Sequence, residues 1–420
     1  LIAITDNSTG TGSGVSLNAI SAGGAIAVNG AINLKGAITL DNTYGPASVS
    51  PSSAYITVSS LGTLATTSAG ITVDGALTAK GSIALNGVTA GSALAGINYS
   101  VGINSTAGDV TLNGIAIGAN GFGVYNVSAS TITANNITIN GTTSLAPNWA
   151  TYLGSLTINS GSAGGNIAVT GNVINTPGGA GGIYQSGTIT TRSGSNISFT
   201  SNNDINQLGA IAMAANTSAS AASITYDTTT GNKTSSIVGG ALTIGTSSSS
   251  SAINYTMLSA GSAINPGAIG TSSVALPGTV TLDNTYGAAS GTKGTGYITA
   301  SVANRLVDLA TTSIGVTINS AIFASGNISV NGASNSSYGI DTSANITSRS
   351  GNVTLSGATV ATIGVYVVAS NVVTANNITI NGTSTSAPSW VTQIGGLTIN
   401  STSVGGNIAV TGNVIGTPGA

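Results

Sequence analysis

The sequence predicts an all-β fold, a parallel β-helix (β-solenoid) with about 25–30 residues per coil and short excursion loops. Three observations predict it. A short motif recurs at a nearly constant spacing, apolar and polar residues alternate inside each motif, and the connections between neighbouring motifs are too short for hairpins.

The recurring motif begins with a small polar residue, continues with two apolar residues separated by a polar one, and ends in Asn or Thr, usually followed by Gly. In the first half of the chain it starts at residues 82, 109, 136, 166 and 196, in steps of 27, 27, 30 and 30. In the second half it starts at residues 327, 352, 377 and 407, in steps of 25, 25 and 30. A repeat of about 20 to 50 residues is typical of solenoids, propellers and arrays.

The two apolar residues of each motif, such as Ile137 and Ile139, are two positions apart, so they lie on one face of a short strand. This period disfavours helical repeats. At 24–42 and 70–87 three such strands follow one another, separated by little more than one Gly. A hairpin needs at least two turn residues, whereas one Gly or Asn in a left-handed conformation can turn a corner. Three strands joined by corners form one coil, and the next coil pairs with it in parallel about 4.8 Å away.

A longer repeat covers much of the chain, because 39–175 matches 281–417 with an offset of 241 or 242 residues. TLDNTYG at 39–45 returns at 281–287, and GGNIAVTGNVI at 164–174 returns unchanged at 405–415. No shift in composition marks a boundary, so we expect residues 1–420 to form one continuous β-solenoid segment. Neither end carries a recognisable capping repeat, so we expect further coils, or another copy, beyond Leu1 and Ala420.

Charged and reactive residues are scarce. Only 4% of the residues are charged, the formal net charge is −2, and His and Cys are both absent. Seven scattered basic residues offer no stripe that could neutralise phosphates, so we expect no nucleic-acid partner. Every apolar run is interrupted before it reaches about 18 residues, so we expect no membrane insertion. The exterior is then expected to be Ser, Thr, Asn and Gly, a neutral coat that tolerates lateral contact.

The same scarcity argues against an enzyme. His, the commonest general base and metal ligand, is missing. Glycoside hydrolysis needs two carboxylates about 5 to 9.5 Å apart, and the nine Asp residues are widely spaced. Adjacent coils could unite two of them, for example Asp74 and Asp109, whereas Asp41 and Asp283 occupy equivalent places in TLDNTYG and are expected to cap a turn. We predict no catalytic, metal-binding or cofactor-binding residues.

Asparagine recurs at the start of the strand motif. We expect a structural role, and two explanations stay open: a hydrogen-bonded ladder along one corner, or simple tolerance of the turn conformation. The residues concerned are Asn136, Asn166, Asn196, Asn352, Asn377 and Asn407.

The only two tryptophans, Trp149 and Trp390, fall at equivalent points of the long repeat, in segments that interrupt the strand pattern. Each ring either seals its excursion loop against the coil or stands exposed as a contact for sugar or a neighbouring molecule. We favour sealing. Tyr44 and Tyr286, equivalent residues of DNTYG, present the same two alternatives, and packing of the loop is again favoured.

The motifs GNISVNG at 326–332, GNVTLSG at 351–357 and GGNIAVTGNVI resemble the repeats of filamentous-haemagglutinin-like adhesins, the exported proteins of two-partner secretion systems. The resemblance covers most of the chain. It implies a right-handed parallel β-helix that is exported through an outer-membrane transporter and displayed as a long rod on the bacterial surface.

We therefore predict a non-enzymatic extracellular protein of the cell surface, a segment of a giant repetitive filament or adhesin that acts by rigid length and multivalent contact. The expected partners are other copies or further repeats of the same chain, surface glycans and, by the resemblance, the outer-membrane transporter. Three alternatives stay open: a polysaccharide-active β-helix enzyme, an ice-binding solenoid, and an S-layer-type subunit.

Overall fold

A computed structural model describes most of the chain. The described residues are 4–5, 14–43, 65–144, 149–161, 164–175, 181–218, 220–231, 233–246, 251–286, 298, 303–360, 362–367, 371–386, 390–395, 398–401 and 406–415. They fall into two compact units. The first unit is Leu1–Asn203 with Leu208–Ala210, and the second is Asp204–Gln207 with Ile211–Ala420.

The first unit contains only strands among its described residues. They are β1 (Ile4–Thr5), β2 (Leu17–Ile20), β3 (Ile26–Val28), β4 (Ile32–Leu34), β5 (Ile38–Asp41), β6 (Ile71–Val73), β7 (Leu77–Ala79), β8 (Ile83–Thr89), β9 (Ala95–Tyr99), β10 (Ile103–Ser105), β11 (Val110–Ala116), β12 (Phe122–Asn126), β13 (Thr131–Ala134), β14 (Ile137–Thr143), β15 (Thr151–Leu153), β16 (Thr157–Ser160), β17 (Ile167–Val173), β18 (Ile183–Gln185), β19 (Ile189–Thr191) and β20 (Asn196–Ser201).

These strands form three parallel sheets, and each coil contributes one strand to each sheet. Sheet A has the order β1-β4-β7-β10-β13-β16-β19, sheet B the order β2-β5-β8-β11-β14-β17-β20, and sheet C the order β3-β6-β9-β12-β15-β18. Strands β3, β4 and β5, which follow one another in the chain, thus enter three different sheets. The predicted parallel β-solenoid, with corners instead of hairpins, is confirmed.

The described residues of the second unit repeat this organisation and add one helix. Its elements are β21 (Ile205–Gln207), β22 (Ile211–Met213), β23 (Ala222–Thr228), β24 (Ser236–Val238), β25 (Leu242–Ile244), β26 (Ile253–Ser259), β27 (Ala263–Asn265), β28 (Val280–Asp283), α1 (Ala303–Leu309), β29 (Val316–Ile318), β30 (Ile322–Ala324), β31 (Ile328–Ser334), β32 (Ile340–Thr342), β33 (Ile346–Ser348), β34 (Val353–Thr359), β35 (Val365–Val367), β36 (Val372–Ala375), β37 (Ile378–Ser384), β38 (Thr392–Ile394), β39 (Thr398–Ser401) and β40 (Ile408–Val414).

In this unit the long strands pair in the order β23-β26-β28-β31-β34-β37-β40, and a second sheet has the order β21-β24-β27-β29-β32-β35-β38. The third face consists of β22-β25 and of β30-β33-β36-β39. Ile269 joins these two groups by isolated parallel bridges to Leu242 and Ile322. The solenoid therefore continues through the point where regular strand structure is interrupted.

Aliphatic side chains from successive coils stack on one another inside each unit. In sheet B one inward column is Ile38, Ile83, Val110, Ile137, Ile167 and Ile197, and another is Leu40, Leu85, Leu112, Ile139, Val169 and Phe199. All of these side chains are at most 1% exposed. Burial of each such side chain stabilises the fold by about 1.5–3 kcal/mol.

Small hydroxyl side chains, which the alternation of apolar and polar residues does not predict inside, occupy the last inward position of many strands. Thr89 donates to the Ser68 carbonyl oxygen at 2.6 Å, and Ser105 donates to the Gly81 carbonyl oxygen at 2.8 Å. Ser348 makes the equivalent bond in the second unit. A hydroxyl at this place gives a backbone carbonyl near the corner a hydrogen-bond partner within the protein.

The expected coil length holds for much of the chain and fails at three places. Paired asparagines lie 27 residues apart between Asn86 and Asn113 and 30 apart between Asn166 and Asn196. In contrast, Asp41 bonds to Asn86, 45 residues away, and Asp283 to a residue 48 away. Both long coils begin at the strand of a TLDNTYG motif, β5 or β28. One coil is shorter, because Ser16 bonds to a residue only 21 positions further along the chain.

Glycines between the short strands turn corners as expected, for example Gly75 between β6 and β7. The glycines that follow the polar residue of the long-strand motif do not. Gly114 and Gly141 lie in the middle of the seven-residue strands β11 and β14, which continue past them. A β-carbon on Gly114 would collide with the Gly123 carbonyl oxygen, and one on Gly141 with the Ala150 carbonyl oxygen. Glycine is needed here because the backbone of the next strand of the coil passes too close for any side chain.

Candidate functional site

A first row of polar side chains runs along the strand starts of the first unit. Asn136 donates its backbone N–H and its Nδ2 to Asp109 Oδ1, at 3.0 and 2.9 Å. The Asn166 backbone N–H donates to Asn136 Oδ1 at 2.9 Å, and Asn196 Nδ2 donates to Asn166 Oδ1 at 3.0 Å. Each amide oxygen therefore receives a hydrogen bond from the next coil.

The second unit has the same arrangement. The Asn352 backbone N–H donates to Asn327 Oδ1 at 2.8 Å. Asn377 donates its N–H and its Nδ2 to Asn352 Oδ1, at 3.1 and 2.8 Å. The Asn407 N–H donates to Asn377 Oδ1 at 2.9 Å. In both units the geometry is that of an amide ladder along one corner.

A second amide row, within the long strands, was missed in the sequence analysis. Asn86 Nδ2 donates to Asp41 Oδ2, Asn113 Nδ2 to Asn86 Oδ1, and Asn140 Nδ2 to Asn113 Oδ1, each at 2.8 Å. Asn331 makes the equivalent bond to the second-unit aspartate at 2.9 Å. The signal that could have revealed this row was the Asn that precedes the motif Gly in SIALNG, DVTLNG and NITING.

In TLDNTYG, two side chains make the hydrogen bonds that end strand β5. Asp41 Oδ1 accepts from the backbone N–H and from Oγ1 of Thr43, at 2.8 and 2.6 Å, which confirms the predicted turn cap. Asn42 is fully buried; its Nδ2 donates to the Val88 carbonyl oxygen at 3.0 Å, and its Oδ1 accepts from the Val88 N–H at 2.7 Å. The Asn42 amide thereby takes the place of a peptide group where β5 has ended. Asn284 repeats both bonds in the second unit.

An outward-facing row of aromatic rings lies on sheet C of the first unit. Tyr125, Tyr152 and Tyr184 are in register on three successive coils. Tyr152 and Tyr184 are stacked, with ring centroids 4.7 Å apart and planes 9° apart. Trp149 is half-buried and its ring centroid lies 5.5 Å from that of Tyr184. The pKa of Tyr152 is raised, mainly by burial and to a smaller extent by the neighbouring Tyr184 and Tyr125.

The other predicted contact residues have different surroundings. Trp390 is 64% exposed, and Gln393 stands where the first unit has Tyr152. Tyr286 is 6% exposed, so its ring is packed inside the second unit. Tyr44 lies outside the described residues. The first-unit tryptophan thus covers a ring, whereas its counterpart presents most of its surface to solvent.

Several acidic side chains have structural partners, whereas Oδ1 of Asp341 is buried without a hydrogen-bond partner. Asp74 accepts from Ser100 Oγ at 2.9 Å, and Asp204 accepts from the N–H and Oγ of Ser236 at 2.6 and 3.1 Å. Burial raises the pKa of Asp204 and of Asp283, while the hydrogen bonds from Ser236 and Thr285 respectively oppose that rise. Within the described part of the chain, no group of three or more acidic, His or Cys side chains could hold a metal ion.

Comparisons with protein-family models, with curated proteins and with solved structures found no match to the chain. In the described ranges, none of the helices has the length and apolar character needed to cross a membrane.

Proposed function

We propose that this chain is a non-enzymatic structural and adhesive solenoid of the bacterial cell surface, working by rigid length and by repetition of equivalent surface patches. The observation that carries the proposal is the in-register repetition of small or polar, uncharged side chains on the outward face of the long strands. One such row consists of Ala84, Thr111, Thr138, Ala168 and Ser198, and the next of Asn86, Asn113, Asn140, Thr170 and Thr200.

Such rows suit multivalent contact. Each coil offers a patch of similar chemistry at the strand spacing of about 4.8 Å, so several weak contacts can act together when the partner is itself repetitive. Further copies of the chain and surface glycans are the proposed partners. Export through an outer-membrane transporter is proposed from the resemblance of the GNIxVxG motifs alone.

The test combines imaging with binding. Electron microscopy of the purified chain should show elongated particles. Immobilised surface glycans should retain a chemically coupled dimer of the chain at least tenfold longer than the monomer, because avidity multiplies weak contacts. Round particles, or equal retention of monomer and dimer, would contradict the proposal. Turnover of a polysaccharide by the purified chain would favour the enzymatic alternative instead.

A further inference from the structure

The partly exposed tyrosines of this chain are in ring contact with one another. Within the described residues, each tyrosine is either buried or adjoins a tyrosine ring of a neighbouring coil. The buried tyrosines are Tyr99, Tyr226, Tyr255 and Tyr286. The partly exposed ones are Tyr125, Tyr152, Tyr184, Tyr338 and Tyr366. In this part of the chain, solvent therefore reaches tyrosine rings only where two of them meet.

Strand pairing holds these rings together. Tyr152 and Tyr184 lie opposite each other on the paired strands β15 and β18, with ring centroids 4.7 Å apart and planes 9° apart. Tyr125 lies further from Tyr152, at 5.5 Å and 32°. In the second unit the rings of Tyr338 and Tyr366 are 4.8 Å apart, and they belong to the coils of the paired strands β32 and β35.

Phenol rings in contact can be coupled by oxidation. Removal of one electron and the hydroxyl proton from a phenol leaves a radical whose unpaired electron lies partly on the ring carbons next to the C–O carbon. Two such radicals form a C–C bond through these carbons, and the hydrogen on each bonded carbon then moves to the oxygen. Each cross-link thus removes two electrons and two protons, which convert one hydrogen peroxide into two waters. A fold that already holds the two rings together favours this step over coupling between separate molecules.

A dityrosine is also the kind of cross-link that this composition allows. Secreted proteins are commonly stapled by disulfides, but the sequence contains no Cys. A bond between Tyr152 and Tyr184 would close a loop of one coil, and a cross-link of this kind stabilises a fold mainly by restricting the unfolded chain.

A second pair of tyrosines offers an internal comparison. Tyr226 and Tyr255 have ring centroids 5.6 Å apart, but both are fully buried. An oxidant that acts from solvent can reach the partly exposed pairs and not this one.

We propose that Tyr152–Tyr184 and Tyr338–Tyr366 are sites of oxidative cross-linking, at which hydrogen peroxide and a haem peroxidase join successive coils through dityrosine bonds. This inference deepens the proposed structural function, on which it rests, by adding a covalent link between coils. Elongated particles and avidity need no oxidant, so they can be observed even if cross-linking fails.

The experiment treats an equal mixture of the unlabelled and the ¹⁵N-labelled full chain with hydrogen peroxide and a haem peroxidase. Mass spectrometry of proteolytic fragments should find the two linked peptide pairs, each entirely light or entirely heavy, because the bonds form within one chain. The Thr151 amide donates to the Gly182 carbonyl oxygen at 3.0 Å, between β15 and β18. Its hydrogen exchange should slow by at least about tenfold in the linked chain, because the bond restricts separation of these strands.

Single-hydroxyl variants supply the controls. Tyr184→Phe should lose the link to Tyr152 and the slowing at Thr151, and it should keep the Tyr338–Tyr366 link. Tyr125→Phe removes a hydroxyl from the same row and should keep both links. The proposal is overturned by the absence of either link, by a majority of mixed light and heavy pairs, by equal linking of Tyr226 to Tyr255, or by unchanged exchange at Thr151.

Discussion

Replacing Asn42 by Ala tests the claim that a side-chain amide substitutes for a peptide group in sheet B. The substitution removes the donor to the Val88 carbonyl oxygen at 3.0 Å and the acceptor of the Val88 N–H at 2.7 Å. It also removes a longer bond, of 3.4 Å, to the Gly70 carbonyl oxygen. Both Asn42 and Val88 are fully buried, so water cannot replace the lost partners without opening the structure.

The expected loss follows from the two orphaned groups. A buried donor or acceptor left without a partner costs about 1–3 kcal/mol. For the Val88 N–H and C=O together we expect a loss of about 2–5 kcal/mol in the free energy of unfolding of the first unit. Because about 1.4 kcal/mol is a factor of ten, exchange of the Val88 amide hydrogen should accelerate by at least about 30-fold.

Urea denaturation and site-resolved hydrogen exchange measure these two quantities. Asn33→Ala is the matched control, because Asn33 is exposed on β4, and such surface substitutions change stability by less than about 0.5 kcal/mol. Asn284→Ala should reproduce the effect at the Ala333 amide of the second unit. If the Val88 amide kept its protection in Asn42→Ala, the substitution of an amide for a peptide group would be refuted.

Three further predictions concern the rings, the core and a carboxylate. Trp149→Ala should lower the free energy of unfolding by more than the roughly 0.5–1.5 kcal/mol of an aromatic pair. Trp390→Ala, at a position 64% exposed, should change it by less than about 0.5 kcal/mol in denaturant titrations. A larger loss in Trp390→Ala than in Trp149→Ala would contradict the assigned packing. Ile139→Ala should lower the free energy of unfolding by about 2–5 kcal/mol, whereas Thr138→Ala, at the neighbouring outward position, should lower it far less. Equal losses would refute the assignment of Ile139 to the inward column. Burial raises the pKa of Asp341 above its ordinary value of 3.8. The folded state therefore binds the proton more tightly than the unfolded state does. The free energy of unfolding consequently rises as the pH falls from the pKa of the folded state towards 3.8. Asp341→Asn should therefore be more stable than the wild type at pH 7 and lose this advantage below pH 3.8. A stabilisation independent of pH would show that the charge of Asp341 is not its cause.

The solenoid was predictable because its signals are local. Alternation with a period of two places Ile137 and Ile139 on one face whatever surrounds them, and a single-residue connection excludes a hairpin on stereochemical grounds. The Asp41 turn cap is equally local, since its partner Thr43 is two residues away. These features need no knowledge of which coil lies next to which.

The internal hydroxyls and the glycines of the long-strand motif could not be predicted from the local sequence, because their roles depend on contacts with other parts of the coil. In the sequence, Gly114 resembles a corner residue, because a strand motif ends there and glycine favours turns. Only the approach of the Gly123 backbone reveals that it is a close-contact residue within a longer strand. The amide of Asn42 is similar, since its partner Val88 is 46 residues away in the sequence.

The amino-acid sequence by itself determined that the chain winds as parallel coils with aliphatic columns inside and a neutral polar exterior, since these properties follow from side-chain alternation and composition. The tertiary structure alone decided which groups meet: Tyr152 stacks on Tyr184, Asn113 bonds to Asn86, and the Asn42 amide bonds to the Val88 backbone. The physical reason is that contacts between coils depend on register, and register depends on the length of every coil and excursion that separates the two residues.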